Sequence, residues 1–382
     1  MMLGFGFDYY IINHKLCLGV IMRKLLTLSL CTLFGAVSLF AQDKKEDDWK
    51  ISAGVQIRTE LDGRDFSNAT YPSSFTSMRT RIGVEKTIAN KLTLFAQFQD
   101  SRLWGEETST TANMQLADLH QGYIIINDVF NTPISLQAGR FEMQYGNGKF
   151  ISSSQWSYIA RSWDGLRLTY KDKIFSADLF SLTHNKSHTY LGSADTSLYP
   201  YPAKKDAGFT YLGLWTKTQL ADAGTLDVFG LYENNRALTT KKNPKADRFT
   251  TGLTYNLNFW GFNIYAEGAY QFGTAGDQKA DNNPKYIQAY TAAANLNYTV
   301  SAFTFGVGAD VISGTSREDL AKGDKTNTYD AGFQGKHSFY GLMNYFSSID
   351  KSTNNAGLND YYFKAEFKPK DSDFSCNLAV HG

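Results

Sequence analysis

The sequence predicts an all-β chain, an antiparallel β-barrel that crosses a membrane with its strands. Three observations predict it: a sustained alternation of apolar and polar residues, links that alternate between short and long, and an N-terminal export signal. From Trp49 onward the chain alternates in short runs and never adopts a helical period. In Tyr361-Tyr362-Phe363-Lys364-Ala365-Glu366-Phe367-Lys368, the residues Tyr361, Phe363, Ala365 and Phe367 share one face, and Lys364, Glu366 and Lys368 the other. Such a pattern over most of the chain describes a large antiparallel sheet, which needs a closed edge or a second layer.

The N-terminus decides between those two. Met22-Arg23-Lys24 is a short basic stretch, Leu25 to Phe40 an apolar run, and Phe40-Ala41-Gln42 ends it at a small residue. This is a secretory signal over 22–41. Residues 42–48, with Asp43-Lys44-Lys45-Glu46-Asp47-Asp48, read as a solvated periplasmic leader, and 49–382 as the barrel. Met1 to Ile21 does not fit the signal and reads as an over-long extension ahead of a natural start at Met22. An exported, alternating, aromatic-rich chain is most simply a bacterial outer-membrane barrel.

Composition agrees. Net charge is +1, which points to no nucleic-acid partner. Tyr (23) and Phe (27) dominate the aromatics and suit both strands and interface girdles. Mean hydropathy is −0.34, and no segment of the exported part approaches the ~18 apolar residues of a helical span. Lumen-facing residues dilute the apolar signal of barrel strands, so the barrel stands. Cys17 and Cys31 fall in the segment to be removed, which leaves Cys376 alone and no disulfide framework.

Strand candidates run over 49–61, 75–87, 90–102, 117–128, 133–142, 161–171, 173–184, 207–220, 223–236, 246–259, 261–273, 285–300, 302–314, 336–346, 357–370 and 372–381. Short links such as Lys171-Asp172-Lys173 and Trp260-Gly261 alternate with long ones such as 143–160 and 315–335. Short turns belong on the periplasmic side and long loops outside. The visible candidates number 16, an even count, as closure normally requires. The chain stops at His381-Gly382 inside an alternating run and without a terminal aromatic, so one further hairpin is expected.

Arginine is unevenly placed: Arg79, Arg81, Arg102, Arg140, Arg161 and Arg167 fall in one stretch. Alternation puts Arg79, Arg81 and Glu85 on one face, with Ile82 and Val84 on the other; likewise Arg167 opposes Leu166 and Leu168. A charge on the lipid face costs ~2–4 kcal/mol at mid-membrane, so these charges belong in the lumen. A ring of inward arginines suits anions, because the guanidinium is permanently charged and binds carboxylate in a planar fork. The same arginines can instead form a wall lattice with Glu85, Asp100, Asp118, Glu142 and Asp164. Both readings stay open on the residues alone.

The same stretches resemble a known family. Met78-Arg79-Thr80-Arg81-Ile82-Gly83, Gln97-Phe98-Gln99-Asp100-Ser101-Arg102-Leu103-Trp104-Gly105 and Leu119-His120-Gln121-Gly122-Tyr123 are similar, in order and spacing, to the outer-membrane alginate-export family. So are Leu136-Gln137-Ala138-Gly139-Arg140 and Arg161-Ser162-Trp163-Asp164-Gly165. The likeness is sharp over about 50–170 and architectural beyond. It implies a monomeric barrel of about 18 strands when complete, with an Arg-rich lumen that passes a polyuronate such as alginate. It also places Arg102, Arg140 and Arg161 near the constriction; Glu85, Asp100 and Asp164 are expected to line the pore with the arginines. Phe141-Glu142 after Arg140 departs from the family pattern, which keeps a general small-solute porin in view.

Other signals are weak. His184 and His188 lie in a loop without a neighbouring Cys or carboxylate, so no metal site is expected. Gly146-Asn147-Gly148-Lys149 lacks the spacing of a phosphate loop and reads as a turn. No Gly-x-Ser-x-Gly occurs and no nucleophile stands beside a base, so no enzyme and no cofactor is expected. The expected partners are outer-membrane lipid and anionic oligosaccharides or small anions.

Overall fold

The computed structural model describes residues 49–62, 73–107, 109, 117–184, 209–235, 246–276, 284–341, 345–346, 348–372 and 374–382. The expected extension, signal and leader, and His188, lie outside them. The described strands form a 16-stranded sheet. They are β1 (Lys50–Asp62), β2 (Ser73–Ile88), β3 (Leu92–Leu103), β4 (Ala117–Ile126), β5 (Ile134–Phe141), β6 (Trp163–Lys171), β7 (Phe175–His184) and β8 (Phe209–Gln219). Then come β9 (Thr225–Asn235), β10 (Ala246–Phe259), β11 (Phe262–Gly276), β12 (Pro284–Val300), β13 (Phe303–Ile312), β14 (Lys325–Thr326), β15 (Leu358–Phe367) and β16 (Cys376–His381). Each strand pairs with the next in antiparallel fashion, except β14, which lies off the path and pairs parallel with β12. No ladder joins β1 to β16 among the described residues.

Among the described residues every expected strand is present except the one over 336–346. That segment is a 3₁₀ turn at Lys336–Ser338 followed by Phe339 and Tyr340. Tyr340 sits at φ +60°, a left-handed backbone that breaks any strand. Its ring is buried in the lumen, so its apolar character serves the interior of the barrel rather than the wall. No strand among the described residues takes its place in the wall: β13 pairs directly with β15, and the two-residue β14 lies off the path on β12.

The tight ends follow simple turn chemistry. Ala89 and Asn90 both take positive φ, as a primed hairpin turn demands. Trp260 and Gly261 do the same between Phe259 and Phe262. At 172–174 the Asp172 carboxylate accepts the Ile174 and Phe175 N–H groups, each at 2.8 Å. Those backbone donors hold its pKa below the ordinary aspartate value.

Alternation gives the wall two faces. Ile82, Phe98, Leu166, Leu168, Leu179, Leu212, Leu214, Val228, Phe249 and Phe305 are exposed outward, as a hydrocarbon-facing belt requires. No helix among the described residues is long and apolar enough to cross a membrane. The buried core lies on the other face, inside the barrel. Phe141, Met143, Phe150 and Ile151 pack there against inward Trp163, Phe180, Leu182, Tyr211, Trp215, Phe229 and Leu231. Gly213 makes room for this core: a Cβ there would lie 2.1 Å from the Phe180 ring, which covers it from the neighbouring strand.

One expected outcome tests the two faces. Leu168→Arg puts a charge on the outward belt and lowers the unfolding free energy by ~2–4 kcal/mol if the site is near mid-membrane. Urea titration of the barrel folded in lipid vesicles reads this directly. An unchanged midpoint contradicts the assignment.

Candidate functional site

The interior is shaped by the loop over 142–162, which turns inward after β5. Its backbone brings buried carbonyls that need donors, and the inward faces of β1, β2 and β3 supply them. Arg58 donates to the Trp156 carbonyl and lies over the Trp156 ring at 4.0 Å. Arg79 Nη1 donates to Ser157 O at 3.0 Å, Ser101 Oγ to Tyr158 O at 2.9 Å, and Gln99 Nε2 to Ile159 O at 2.8 Å. The consecutive carbonyls of 156–159 are therefore all held by the wall. Arg81 adds a branched anchor: Nε donates to Gln99 Oε1 at 2.7 Å, Nη1 to Gln155 Oε1 at 3.3 Å, and Nη2 pairs with Glu142 Oε1 at 3.0 Å.

Across the lumen, the same loop is pinned by Lys149, which is 2% exposed. Its ammonium bridges Glu267 on β11 at 3.1 Å and Asp310 on β13. Burial alone would lower the Lys149 pKa; the Tyr340 hydroxyl, Glu267 and Asp310 outweigh it and hold the group above the ordinary lysine value. Tyr145 stacks between Phe180 and Trp215, with centroids 5.9 and 4.7 Å away.

A second loop, over 313–357, meets the first. Ile151 and Phe333 form a parallel bridge, with Ser152 N donating to Phe333 O at 2.9 Å and Gly335 N to Gly148 O at 3.0 Å. Arg161 ties both loops, donating through Nη1 to Ser152 O at 2.9 Å and to Phe333 O. The second loop reaches the wall through Asp330. Arg248 on β10 pairs with it at 2.7 Å and with Glu233 at 3.4 Å. Gln271 donates to Asp330 O at 2.9 Å and accepts from Asp330 N at 3.0 Å.

The sequence-derived site residues separate into two groups. Arg79, Arg81, Glu85 and Arg167 face the lumen, and Arg161 lies on the inward loop. Arg167 donates to Gln137 at 2.5 Å and lies 4.0 Å from Asp178; Glu85 accepts from Lys50 at 2.8 Å. Asp100, Arg102, Arg140 and Asp164, expected to line the pore, face outward instead. Residues directly opposite across a ladder share a face. Arg140 pairs with Asp164, two residues from outward Leu166, and Asp100 pairs with Thr80, two from outward Ile82. There they neutralise each other: Arg140 to Asp164 at 3.0 Å and Arg102 Nε to Asp100 at 2.7 Å. All four lie at the long-loop ends of their strands, where an outward charge costs only about 0–1 kcal/mol.

The sequence stretch over 48–381 matches the description "alginate export". The chain belongs to the alginate export family. No curated protein matches it in sequence. Its fold is similar to that of OccK8 (OprE) from Pseudomonas aeruginosa, at TM-score 0.50 and 11% identity, covering 84% of this chain and 79% of that one. It is also similar to OccAB4 from Acinetobacter baumannii, at TM-score 0.49 and 14% identity, covering 86% and 80%. Membership in the alginate export family, on a wall of successive antiparallel strands with an apolar outer belt, makes the chain an outer-membrane channel protein of a bacterium. Residues the sequence did not single out turn out to organise this interior: Arg58, Lys149, Arg248, Glu267 and Asp310. Inward parity alone could have flagged Arg58 and Arg248.

Glu142 gives the loop a pH dependence. Burial would raise its pKa, but His120 at 2.6 Å, Arg81 at 3.0 Å and Gln155 at 2.7 Å stabilise the carboxylate and leave it below the ordinary 4.5. A depressed carboxyl pKa stabilises the loop above the unfolded value and loses that contribution as pH falls through the folded one. Amide hydrogen exchange over 142–162 is therefore expected to accelerate as pH drops below 4.5, beyond the intrinsic rate change. Glu142→Gln removes that acid-induced increase. The same excess acceleration in the variant would show that another group controls the loop.

Proposed function

We propose that this protein is a passive, monomeric channel, not an enzyme, and that it carries anionic sugars or polyuronates such as alginate across the outer membrane. The observation that supports this most is the set of guanidinium groups gathered beside the narrowed part of the lumen. Arg79, Arg81 and Arg167 project inward from the wall, and Arg161 from the loop that occupies the lumen. A guanidinium keeps its charge at any pH the outer membrane meets. The low-dielectric wall strengthens its effect on a passing ion, so it acts through its field even while it holds a carbonyl. Glu85 tunes this field; Asp100, Arg102, Arg140 and Asp164 act on the outer surface instead.

A second reading is a general small-solute porin. It draws on the acidic groups that face the same lumen, since Glu142, Asp178, Glu233, Glu267 and Asp310 offset much of the basic charge.

Reversal potentials in planar bilayers separate the two. Under the anionic-saccharide reading, Arg79→Gln with Arg167→Gln shifts selectivity toward cations, while Arg140→Ala, on the outer face, leaves it unchanged. An unchanged reversal potential in the double variant, with neutral sugars passing as readily as uronates, supports the general porin. Chromatography with light scattering on the detergent-solubilised barrel tests the monomer.

A further inference from the structure

The periplasmic half of the lumen carries a belt of carboxamides that neither loop covers. Asn256 and Asn258 on β10, Asn263 on β11, and Asn295 and Asn297 on β12 all point inward. The ladders place Asn258, Asn263 and Asn297 directly across from one another. Along β10 the inward Ala246, Arg248, Thr250 and Thr254 are buried and Gly252 is half-buried; Asn256 is then half-buried and Asn258 exposed. Along β12 the same change comes after Thr291. The belt therefore begins where the plugging loops end.

Its internal bonds have a definite direction. Asn263 Nδ2 donates to Asn256 Oδ1 at 2.7 Å and to Asn258 Oδ1 at 2.9 Å. Asn297 Nδ2 donates to Asn263 Oδ1 at 3.1 Å and to Asn295 Oδ1 at 3.0 Å. Asn256, Asn258 and Asn295 act in the belt only as acceptors, which leaves their amino groups oriented but unused within it. Fixed, uncharged donors of this kind suit the hydroxyl oxygens of a sugar, because little ordering remains to be done on binding. Beside them stands a cation. A Cβ on Gly306 would lie 2.3 Å from Asn297 Oδ1 and 2.7 Å from the Lys364 Cε, so the belt and Lys364 meet over that glycine.

We propose that Asn256, Asn258, Asn263, Asn295, Asn297 and Lys364 form a saccharide subsite on the periplasmic side of the loops, with amides for hydroxyls and Lys364 for a uronate carboxylate. This rests on the reading of the protein as a saccharide channel and adds to it a second station, separate from the arginines. The belt grips an acidic sugar before or after it passes the narrowed zone.

The test is isothermal titration of the detergent-solubilised full chain with a uronate tetramer and with a neutral glucose tetramer. Bilayer conductance in simple salt is measured alongside, so that failure of the channel reading shows separately as the lack of an open pore. Lys364→Gln touches no bond of the belt and is expected to weaken the uronate tetramer about fivefold or more while sparing the neutral one. Asn258→Ala with Asn295→Ala weakens both tetramers by a similar factor. Heat-modifiable gel mobility confirms that each variant folds. Unchanged affinity for both ligands in both folded variants, or no measurable binding of either tetramer to the wild type, overturns the subsite whatever the conductance shows.

Discussion

The whole molecule depends on the strict two-sidedness of a strand in a membrane wall. One face meets hydrocarbon, so charges there are excluded, paired or moved to the rim. The other face must accommodate every polar group the chain carries. Antiparallel pairing removes the backbone from this problem, since each strand satisfies its neighbour. What remains is the inner surface, where large aromatic residues and ionised side chains share a confined space. The chain meets this by turning two loops inward. The loop over 142–162 brings Tyr145 and Phe150 to the aromatic side, and offers its carbonyls to the arginines of β1 and β2.

This arrangement explains why the basic residues of the lumen have two roles. Arg79 and Arg81 fix the loop, and Lys149 fixes it from the opposite wall. Removing a buried partner from such a set leaves charge without compensation, which is far costlier than the set itself is stabilising. On the proposed channel function the same groups set the electric field across the passage, so structure and selectivity are coupled in the upper lumen and a substitution there moves both. The carboxamide belt below is different in kind. It carries no charge of its own, lies clear of the loops and can be altered without releasing them.

Much of the wall was legible in the sequence, because a period of two is a local signal. The outward set from Ile82 to Leu168 and the inward Arg79, Arg81 and Arg167 follow from it. The same rule, applied from Leu166, would have put Asp164 outward, and Arg140 with it through the ladder; family likeness led the other way. The strand expected over 336–346 failed for a different reason. Phe339, Tyr340 and Phe346 pack against the core inside the barrel, and an inner loop can carry the same alternation as a wall. The Lys149 anchor could not be read at all. It joins residues 161 positions apart in sequence, and nothing local to Gly148-Lys149-Phe150 signals a buried ion pair rather than a turn.

The most direct measurement on this account compares Arg140→Cys with Arg167→Cys, each in a Cys376→Ser background, by labelling in lipid vesicles. The two side chains sit on adjacent strands but on opposite faces of the wall. A charged, water-soluble thiol reagent is expected to reach position 167 through the lumen and to alter single-channel conductance. A fluorophore at position 140 should instead be quenched by brominated lipid, and labelling there should leave conductance unchanged. Lipid quenching at 167, or a conductance change on labelling 140, would reverse the faces of the wall and contradict it.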